Sequence, residues 1–282
     1  MTNSEPDSQL DQSYMEFYPE NWRAVQSMAE QFTGWVFRGQ LCFDWELTTS
    51  LERAHLLGPN TGSITEYEQS ILRQFRRAAH HYIASPPDGN DILEWLSLIQ
   101  HHGGPTRLLD FTRSLYVAAF YAVEDAEGDS AIWCLNANAL NEIVCQDDTI
   151  KEQIDSPTAI FNELFVGNLD RPATLVLEPE RFCERMIAQQ GVFCVPCSLA
   201  TKVHKLLFQS LNSEREFRVS RHQYDFAHLQ LGTFPVAGRV MKIRISKELH
   251  IEIRQNLRHM NIHAGSLFPG LDGFARSLRW PC

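Results

Sequence analysis

The sequence has no apolar run long enough to cross a membrane, and its first residues lack the basic and apolar segments of a secretory signal. A spanning helix needs about 20 consecutive apolar residues. We therefore expect neither membrane insertion nor export through a signal peptide. The seven cysteines are scattered and odd in number, which does not fit a disulfide framework and favours a reducing cytoplasm.

Basic charge is in short supply, because 25 lysines and arginines stand against 35 aspartates and glutamates, for a formal net charge of -10. Nonspecific binding to nucleic acid or to an anionic membrane depends on a basic surface, so this balance disfavours both. The local exception is a predicted helix face with Arg73, Arg76, Arg77, His80 and His81. It leaves a nucleic-acid-processing function open, although a solvated helix face is the favoured interpretation.

The motifs of several large enzyme classes are absent. The sequence has no GxGxxG, no Walker loop and no GxSxG, which argues against dinucleotide-fold, P-loop and hydrolase proteins. Its one CxxC, Cys194 to Cys197, has no second knuckle, and His259 and His263 lack an intervening glutamate. We therefore expect packing cysteines and no metal site.

The rest of the chain has the composition of a globular protein, with 44% hydrophobic residues. Acidic residues 1–16 predict a disordered arm, and residues 17–282 predict one globular unit. Apolar periodicity predicts helices at residues 21–32, 64–84, 92–102, 115–123, 181–190, 247–260 and 265–278. Short apolar runs predict strands at residues 35–37, 131–135, 192–195 and 240–245. This irregular mixture of helices and strands predicts an α+β fold.

The most informative segment is QHHGGPTRLLDFT at residues 100–112, which forms a polar loop between two helices that are predicted to be buried. Buried polar groups need partners, so those of this loop must bond one another or face a cleft. Arg107 and Asp110 fit either a buried ion pair or a site. Thr112 fits the N-cap of the next helix.

Two further polar features have both a structural and a functional interpretation. His101 and His102 fall in the last turn of a predicted helix, where they fit a C-cap or a site. Arg38 ends the first predicted strand and is followed by Gly39 and Gln40. Gly39 allows a close backbone approach, and an arginine in this position can bind phosphate or carboxylate through two parallel hydrogen bonds.

Together these segments resemble the FRG domain family, which takes its name from the Phe-Arg-Gly motif that stands here at residues 37–39. The matching segments span residues 33 to about 275. They are WVFRGQ at 35–40, WxLxxSLxR at 45–53, QHHGGPTRLLDFT at 100–112, RMIAQQGVF at 185–193 and SLFPGLDG at 266–273. FRG proteins are mostly bacterial and phage-associated, and their proposed relatives are the NAD-using ADP-ribosyltransferases.

That relationship implies a single domain with a short split antiparallel sheet and many surrounding helices, arranged around a nicotinamide cleft. By this resemblance Arg38 lies on the first core strand and holds the dinucleotide, while Thr106 and Thr112 meet the nicotinamide ribose. Gln190 stands in the region where a transferase has its catalytic glutamate, so the chain departs from the family pattern there.

Cleavage of the nicotinamide bond passes through an oxocarbenium-like state, which a nearby anion or acceptor stabilises. Asp110 or Glu163 is the candidate anion if Gln190 cannot serve, and Arg38 or Arg107 suits the pyrophosphate. The expected catalytic residues are therefore Gln190, Asp110 and Thr112. The expected NAD-binding residues are Arg38, Gly39, Gln40, His101, His102, Thr106 and Arg107.

The leading hypothesis is a cytoplasmic NAD-dependent ADP-ribosyltransferase or NAD glycohydrolase of toxin-like or anti-phage type. NAD would be its substrate, and the modified target would be an unidentified protein or nucleic acid. The alternative is a non-catalytic module whose cleft binds a nucleotide or a protein partner. No membrane partner is expected.

Overall fold

One mixed sheet organises the part of the chain that the computed structural model describes, which is residues 15–29, 32–58, 62–145, 157–166, 173–211, 221–222 and 240–279. Within these ranges the strands run in the order β5-β6-β3-β2-β4-β8-β1-β7. Pairings are antiparallel except that β1 runs parallel to β8 and to β7. The strands are β1 (Met15–Phe17), β2 (Trp35–Gln40), β3 (Leu109–Thr112), β4 (Ser130–Asn136), β5 (Thr174–Leu177), β6 (Gly191–Pro196), β7 (Arg221–His222) and β8 (Val240–Ile245).

The sheet is split between β2 and β3. These strands share a single registered pair, Phe37 with Thr112. By contrast, six pairs join β2 to β4 and four pairs join β3 to β6. Beyond Phe37 the two strands diverge, so residues 38–40 pair with β4 on one side and face a gap on the other. The predicted α+β class, with one sheet and many surrounding helices, is confirmed. The sheet itself differs from the short antiparallel one that was predicted, because eight described strands are connected and β1 pairs in parallel with both of its neighbours.

Helices pack on both faces of this sheet. The described helices are α1 (Trp22–Ala29), α2 (Ser50–Leu57), α3 (Ile64–Ala79), α4 (Ile92–His101), α5 (Leu115–Val123), α6 (Ala137–Cys145), α7 (Pro157–Val166), α8 (Glu184–Gln189), α9 (Val203–Leu211), α10 (His250–His259), α11 (Ala264–Leu267) and α12 (Leu271–Ser277). One face carries two cores: in the first α5 packs with α1 and α10, and in the second α3, α4 and α7 pack with β5 and β6. On the opposite face α6 and α9 pack against β2, β3, β4 and β6.

Two predictions were wrong around the central polar segment. Residues 109–112, predicted as loop, form strand β3, in which Leu109 and Phe111 are buried in the core and the backbone pairs with β6. The N-cap of α5 is Ser114 rather than Thr112, because Ser114 Oγ accepts the N–H of Val117 at 3.3 Å. The polar segment therefore ends inside the sheet, not on a free loop.

Other boundaries also differ from prediction. Met15 and Glu16, assigned to the disordered arm, belong to β1, while residues 1–14 lie outside the described residues. Strand β8 was predicted to be half-exposed, yet it lies between β4 and β1 and is buried except at Arg244. The helix predicted at residues 265–278 is divided into α11 and α12, and β5 was not predicted.

Candidate functional site

Arg38 lies in the gap where β2 and β3 diverge. Its Nη1 donates a 2.6 Å hydrogen bond to the backbone carbonyl of Asp110 across the gap. Its Nε is buried without a hydrogen-bond partner among the described residues. Burial lowers the pKa of Arg38, and the nearby Asp110 opposes this shift. An arginine stays charged at neutral pH, so the Nε–H of Arg38 is a cationic hydrogen-bond donor. Because it has no partner among the described residues, a ligand can accept this hydrogen bond.

The gap opens into a cavity of about 300 Å³, near the lower end of the range for ligand pockets. The structure brings together five of the predicted site residues on its wall: Arg38, Gly39, His101, Asp110 and Thr112. Other side chains on the same wall, which sequence analysis did not assign to the site, include Gln100, Tyr121, Cys183, Arg185, Met186 and Gln189. The cavity is therefore built by β2, β3, β6, α4, α5 and α8.

Asp110 is the one carboxylate among the described residues of this wall. Gln100 orients it, since Gln100 Nε2 donates to Asp110 Oδ1 at 2.7 Å and Gln100 Oε1 accepts the hydroxyl of Thr106. Thr106 is fully buried and is held by Ser50, whose Oγ accepts the Thr106 N–H at 3.0 Å and donates to its carbonyl at 3.1 Å. This chain of hydrogen bonds presents a positioned carboxylate to the cavity.

Tyr121 and Arg185 add two more polar groups. Burial raises the pKa of Tyr121 to about 12, while Arg185 opposes that shift, so the hydroxyl stays protonated at neutral pH. The Arg185 guanidinium lies 4.8 Å from the ring centroid of Phe268, and Tyr121 meets the same ring edge-on at 6.1 Å. Sequence analysis overlooked Tyr121 because it stands in an otherwise apolar helix. The matching segment at residues 185–193 was the available signal for Arg185.

His101 contacts a cysteine that is distant in sequence. Its Nδ1 lies 3.6 Å from the Sγ of Cys183. Burial lowers the pKa of His101, and the positive charges of His102 and Arg185 lower it further. The imidazole is therefore neutral at pH 7. No local sequence pattern could have predicted this contact, because 82 residues separate its two members.

Thr112 and the end of α8 close one side of the cavity. The Thr112 hydroxyl donates to the Gln189 carbonyl at 2.7 Å and accepts the N–H of Ser114 at 3.0 Å. Gln190 follows in the left-handed region, with φ 48°, and its side chain is exposed outside the described cavity wall. Gln189 lines the cavity instead. The residue that was expected to replace the transferase glutamate thus does not face Arg38.

Arg107 forms a buried ion pair, but not with Asp110 as the sequence suggested. Its Nε donates to Glu68 Oε1 at 2.9 Å, and its Nη1 donates to the Pro196 carbonyl at 3.1 Å. Glu68 is 1% exposed and Arg107 is 5% exposed, so each depends on the other for its charge balance. Arg107 therefore supports the fold beneath the cavity and does not line it.

The remaining predicted residues also lie off the described cavity wall. Gln40 accepts the indole N–H of Trp133 at 2.8 Å and donates to the Glu46 carbonyl at 3.3 Å, which joins β2 to β4. His102 is the exposed C-cap of α4, the structural role that the sequence had left open. Glu163 is exposed on α7. These side chains have structural or solvent-facing positions.

A second cavity, of about 1080 Å³, is lined by none of the predicted site residues. Its lining includes Tyr18, Phe43, Asp129 and Arg244. Arg244 pairs with Asp129 and lies 5.5 Å and 5.8 Å from the ring centroids of Tyr18 and Phe43. Tyr18, Phe43 and Asp129 therefore already have a cation of the protein beside them.

Cys194 and Cys197 are buried, and burial raises the pKa of each thiol to about 12. In the described ranges no cluster of three or more His, Cys, Asp or Glu side chains is arranged to hold a metal ion. None of the described helices has both the length and the apolar character that crossing a bilayer requires.

The fold and the site define an α+β protein with a polar, ligand-sized cavity where β2 and β3 of a mixed sheet diverge. Residues 33–131 match the family model of the FRG domain, so this part of the chain is an FRG domain, as the motifs at 35–40, 45–53 and 100–112 indicated. This span includes Arg38, Gly39 and all of residues 100–112. The segments at 185–193 and 266–273, which were also assigned to the family, lie outside the match. Searches of curated proteins and of solved structures gave no match. The relation to ADP-ribosyltransferases is therefore not confirmed.

Proposed function

We propose that this FRG protein binds NAD at the split of its sheet and cleaves the nicotinamide bond, as an ADP-ribosyltransferase or an NAD glycohydrolase. One observation carries the proposal: the Arg38 guanidinium keeps a buried, unpartnered donor beside a cavity that the Asp110 carboxylate also lines. A guanidinium suits phosphate oxygens, and a carboxylate suits the positive charge that develops on the ribose. A bacterial, cytoplasmic and anti-phage setting is part of the proposal and rests on the family resemblance.

In this mechanism Arg38 and Arg185 bind the pyrophosphate, and the protonated Tyr121 hydroxyl donates a further hydrogen bond. The bond between the ribose C1′ and the nicotinamide nitrogen breaks, and its electron pair leaves with nicotinamide. Water or a nucleophile of the target then forms the new bond to C1′ and releases its proton to the solvent. Asp110 is the anion of choice, since Gln190 is exposed and carries no charge.

The alternative is a module that binds a nucleotide without turnover. It is favoured by the absence of a carboxylate at residue 190 and by the hydrogen bond between Gln100 and Asp110, which occupies one oxygen of the only described carboxylate in the cavity. Both functions need the Arg38 cation. They differ in whether Asp110 acts on a reacting ribose.

The test is to incubate the protein with labelled NAD, alone and with bacterial cell extract, and to measure nicotinamide release and transfer of label. We expect turnover in the wild type and a loss of about 100-fold or more in Arg38→Ala and in Asp110→Asn, as for removal of a key electrostatic group. Asp110→Asn should keep the thermal stabilisation by NAD, whereas Arg38→Ala should lose it. Arg77→Ala, on the exposed face of α3, is the matched control and should behave as wild type.

Melting curves without NAD show whether each variant is folded. Stabilisation of the wild type by NAD without nicotinamide release would support the binding module. Neither stabilisation nor release by the wild type would contradict both functions.

A further inference from the structure

Cys183 is the thiol that the fold places in contact with an imidazole at the rim of the cavity. It is half-buried, it precedes the first residue of α8, and its side chain makes no capping hydrogen bond. Its Sγ lies 3.6 Å from His101 Nδ1, a distance within the range of a hydrogen bond to sulfur. Both residues line the same cavity. The thiol is thus open to a small molecule and has a base beside it.

The imidazole of this pair is in the form that can take the thiol proton. Burial, together with the positive charges of His102 and Arg185, lowers the pKa of His101, so its ring is neutral at pH 7 and one ring nitrogen can accept a proton. A partly exposed cysteine in contact with an imidazole can give its proton to the ring and react as the thiolate.

The other described cysteines lack this environment. Cys134, Cys194 and Cys197 are buried, and burial raises the pKa of all three thiols. Cys42 has an intermediate exposure like that of Cys183, but it lies in the wall of the second cavity, with Lys242 rather than an imidazole nearby. Cys42 therefore serves as an internal reference of similar accessibility.

We propose that Cys183 and His101 form a reactive thiol–imidazole pair that takes a soft carbon electrophile, an α,β-unsaturated carbonyl compound, as a covalent ligand. His101 Nδ1 accepts the thiol proton while Sγ attacks the β-carbon. A C–S bond forms, the carbon–carbon double bond gives its electron pair to the α-carbon, and that carbon recovers the proton from the imidazolium. The addition needs no other reactant.

The adduct lies in the wall of the cavity, beside Arg38 and Asp110. Because the cavity measures only about 300 Å³, a group attached to Cys183 competes for space with any ligand there. The pair is therefore a modification site that controls access to the cavity. This proposal does not depend on NAD and holds equally for a binding module.

The experiment is a time course of the full chain with limiting N-ethylmaleimide, an α,β-unsaturated carbonyl compound, at pH 7. Each cysteine is quantified by mass spectrometry of its peptide. We expect Cys183 to react about tenfold faster than Cys42, and Cys134, Cys194 and Cys197 to react only after unfolding. Equal rates for Cys183 and Cys42 would overturn the proposal.

Two variants isolate the contribution of the imidazole. His101→Asn keeps a hydrogen-bond acceptor near Sγ but cannot take its proton, so the rate at Cys183 should fall about tenfold while the rate at Cys42 stays unchanged. His102→Asn removes the neighbouring exposed ring and should leave the Cys183 rate within about twofold of wild type. If Cys183 reacts with N-ethylmaleimide at the same rate in the two variants, His101 does not activate the thiol. Both positions are exposed, so folding is expected to survive and is checked by circular dichroism.

Discussion

At the scale of single residues, Gly39 shows how a motif residue can be indispensable without touching a ligand. A Cβ built at this position would lie 2.1 Å from the Ala118 carbonyl oxygen and 2.5 Å from the Ala122 nitrogen. Both atoms belong to the backbone of α5, which cannot yield as a flexible side chain can. The glycine therefore lets α5 lie against β2, and that contact places Tyr121 in the cavity wall.

We expect Gly39→Ala to lower the free energy of unfolding by about 1–3 kcal/mol or more, the usual range for overpacking a core. Gly89→Ala is the matched control, because a Cβ there meets nothing within 4 Å, and it should leave stability unchanged or slightly raised. Urea denaturation of the two variants and the wild type measures the difference. Equal midpoints for the two variants would show that α5 can move away from β2.

Arg38 and Asp110, which the structure places on the cavity wall, stand in family motifs, and for that reason the sequence could single them out. Roles that depend on a distant partner could not be predicted in this way. The partner of Arg107 is Glu68 on α3, and the partner of His101 is Cys183 ahead of α8. Neither pair lies close enough in the sequence for the repeat of a helix or a strand to reveal the contact. Tyr121 was hidden because a helix that is apolar all round gives no sign of which side chain faces a cavity.

At the scale of secondary-structure elements, α9 is joined to the segment before α2 by a histidine. His204 Nδ1 accepts the backbone N–H of Leu47 at 3.3 Å, and its ring lies against Trp133 and Phe208, with centroids 5.7 Å and 4.8 Å away. Burial lowers the pKa of His204, Glu46 opposes this shift and Lys242 adds to it, so that the net direction is downward. The folded protein therefore favours the neutral ring.

The lowered pKa of His204 determines in which direction a change of pH alters the stability of the fold. A histidine with a lowered folded pKa binds fewer protons in the folded state than in the unfolded state, so its contribution is present above the unfolded pKa of about 6.5 and is lost as the pH falls below it. We expect Tm to fall by roughly 2–4 °C more in wild type than in His204→Asn between pH 7.5 and pH 5.5. Asn keeps an acceptor for Leu47 but does not titrate. If the Tm of the wild type and that of His204→Asn change equally with pH, His204 is not a source of the pH dependence.

Elements were predicted well where they are long and periodic, and poorly where the sheet determines them. Helix α3 begins at residue 64 as predicted, and Ser63 and Glu66 form a capping box there. Strand β3 has only four residues and follows a polar segment, so its pairing with β6 decides its conformation. Strand β8 alternates apolar and basic residues, yet Lys242 is buried, 4.5 Å from the ring centroids of both Phe43 and Trp133. Its aliphatic stem and cation–π contacts explain why the alternation did not mean exposure.

At the scale of the whole molecule, the cavity lies where the two parts of the sheet are least connected. One registered pair and the hydrogen bond from Arg38 to the Asp110 carbonyl join β2 to β3. A ligand bound in the gap would contact β2, β3, α5 and α8 together. Binding should therefore suppress separation of the two parts of the sheet, as well as stabilise the fold as a whole.

The corresponding prediction, which rests on the proposed binding of NAD, concerns hydrogen exchange. At about 100 times its dissociation constant, NAD should stabilise the fold by about 2.7 kcal/mol. Amides that exchange by local opening should be protected in β3 and α8, where the ligand would bridge the gap, and should be unaffected in α3, which does not line the cavity. Arg38→Ala should show no protection in either region. Protection in α3 alone would place the ligand elsewhere and remove the reason for assigning Arg38 to the site.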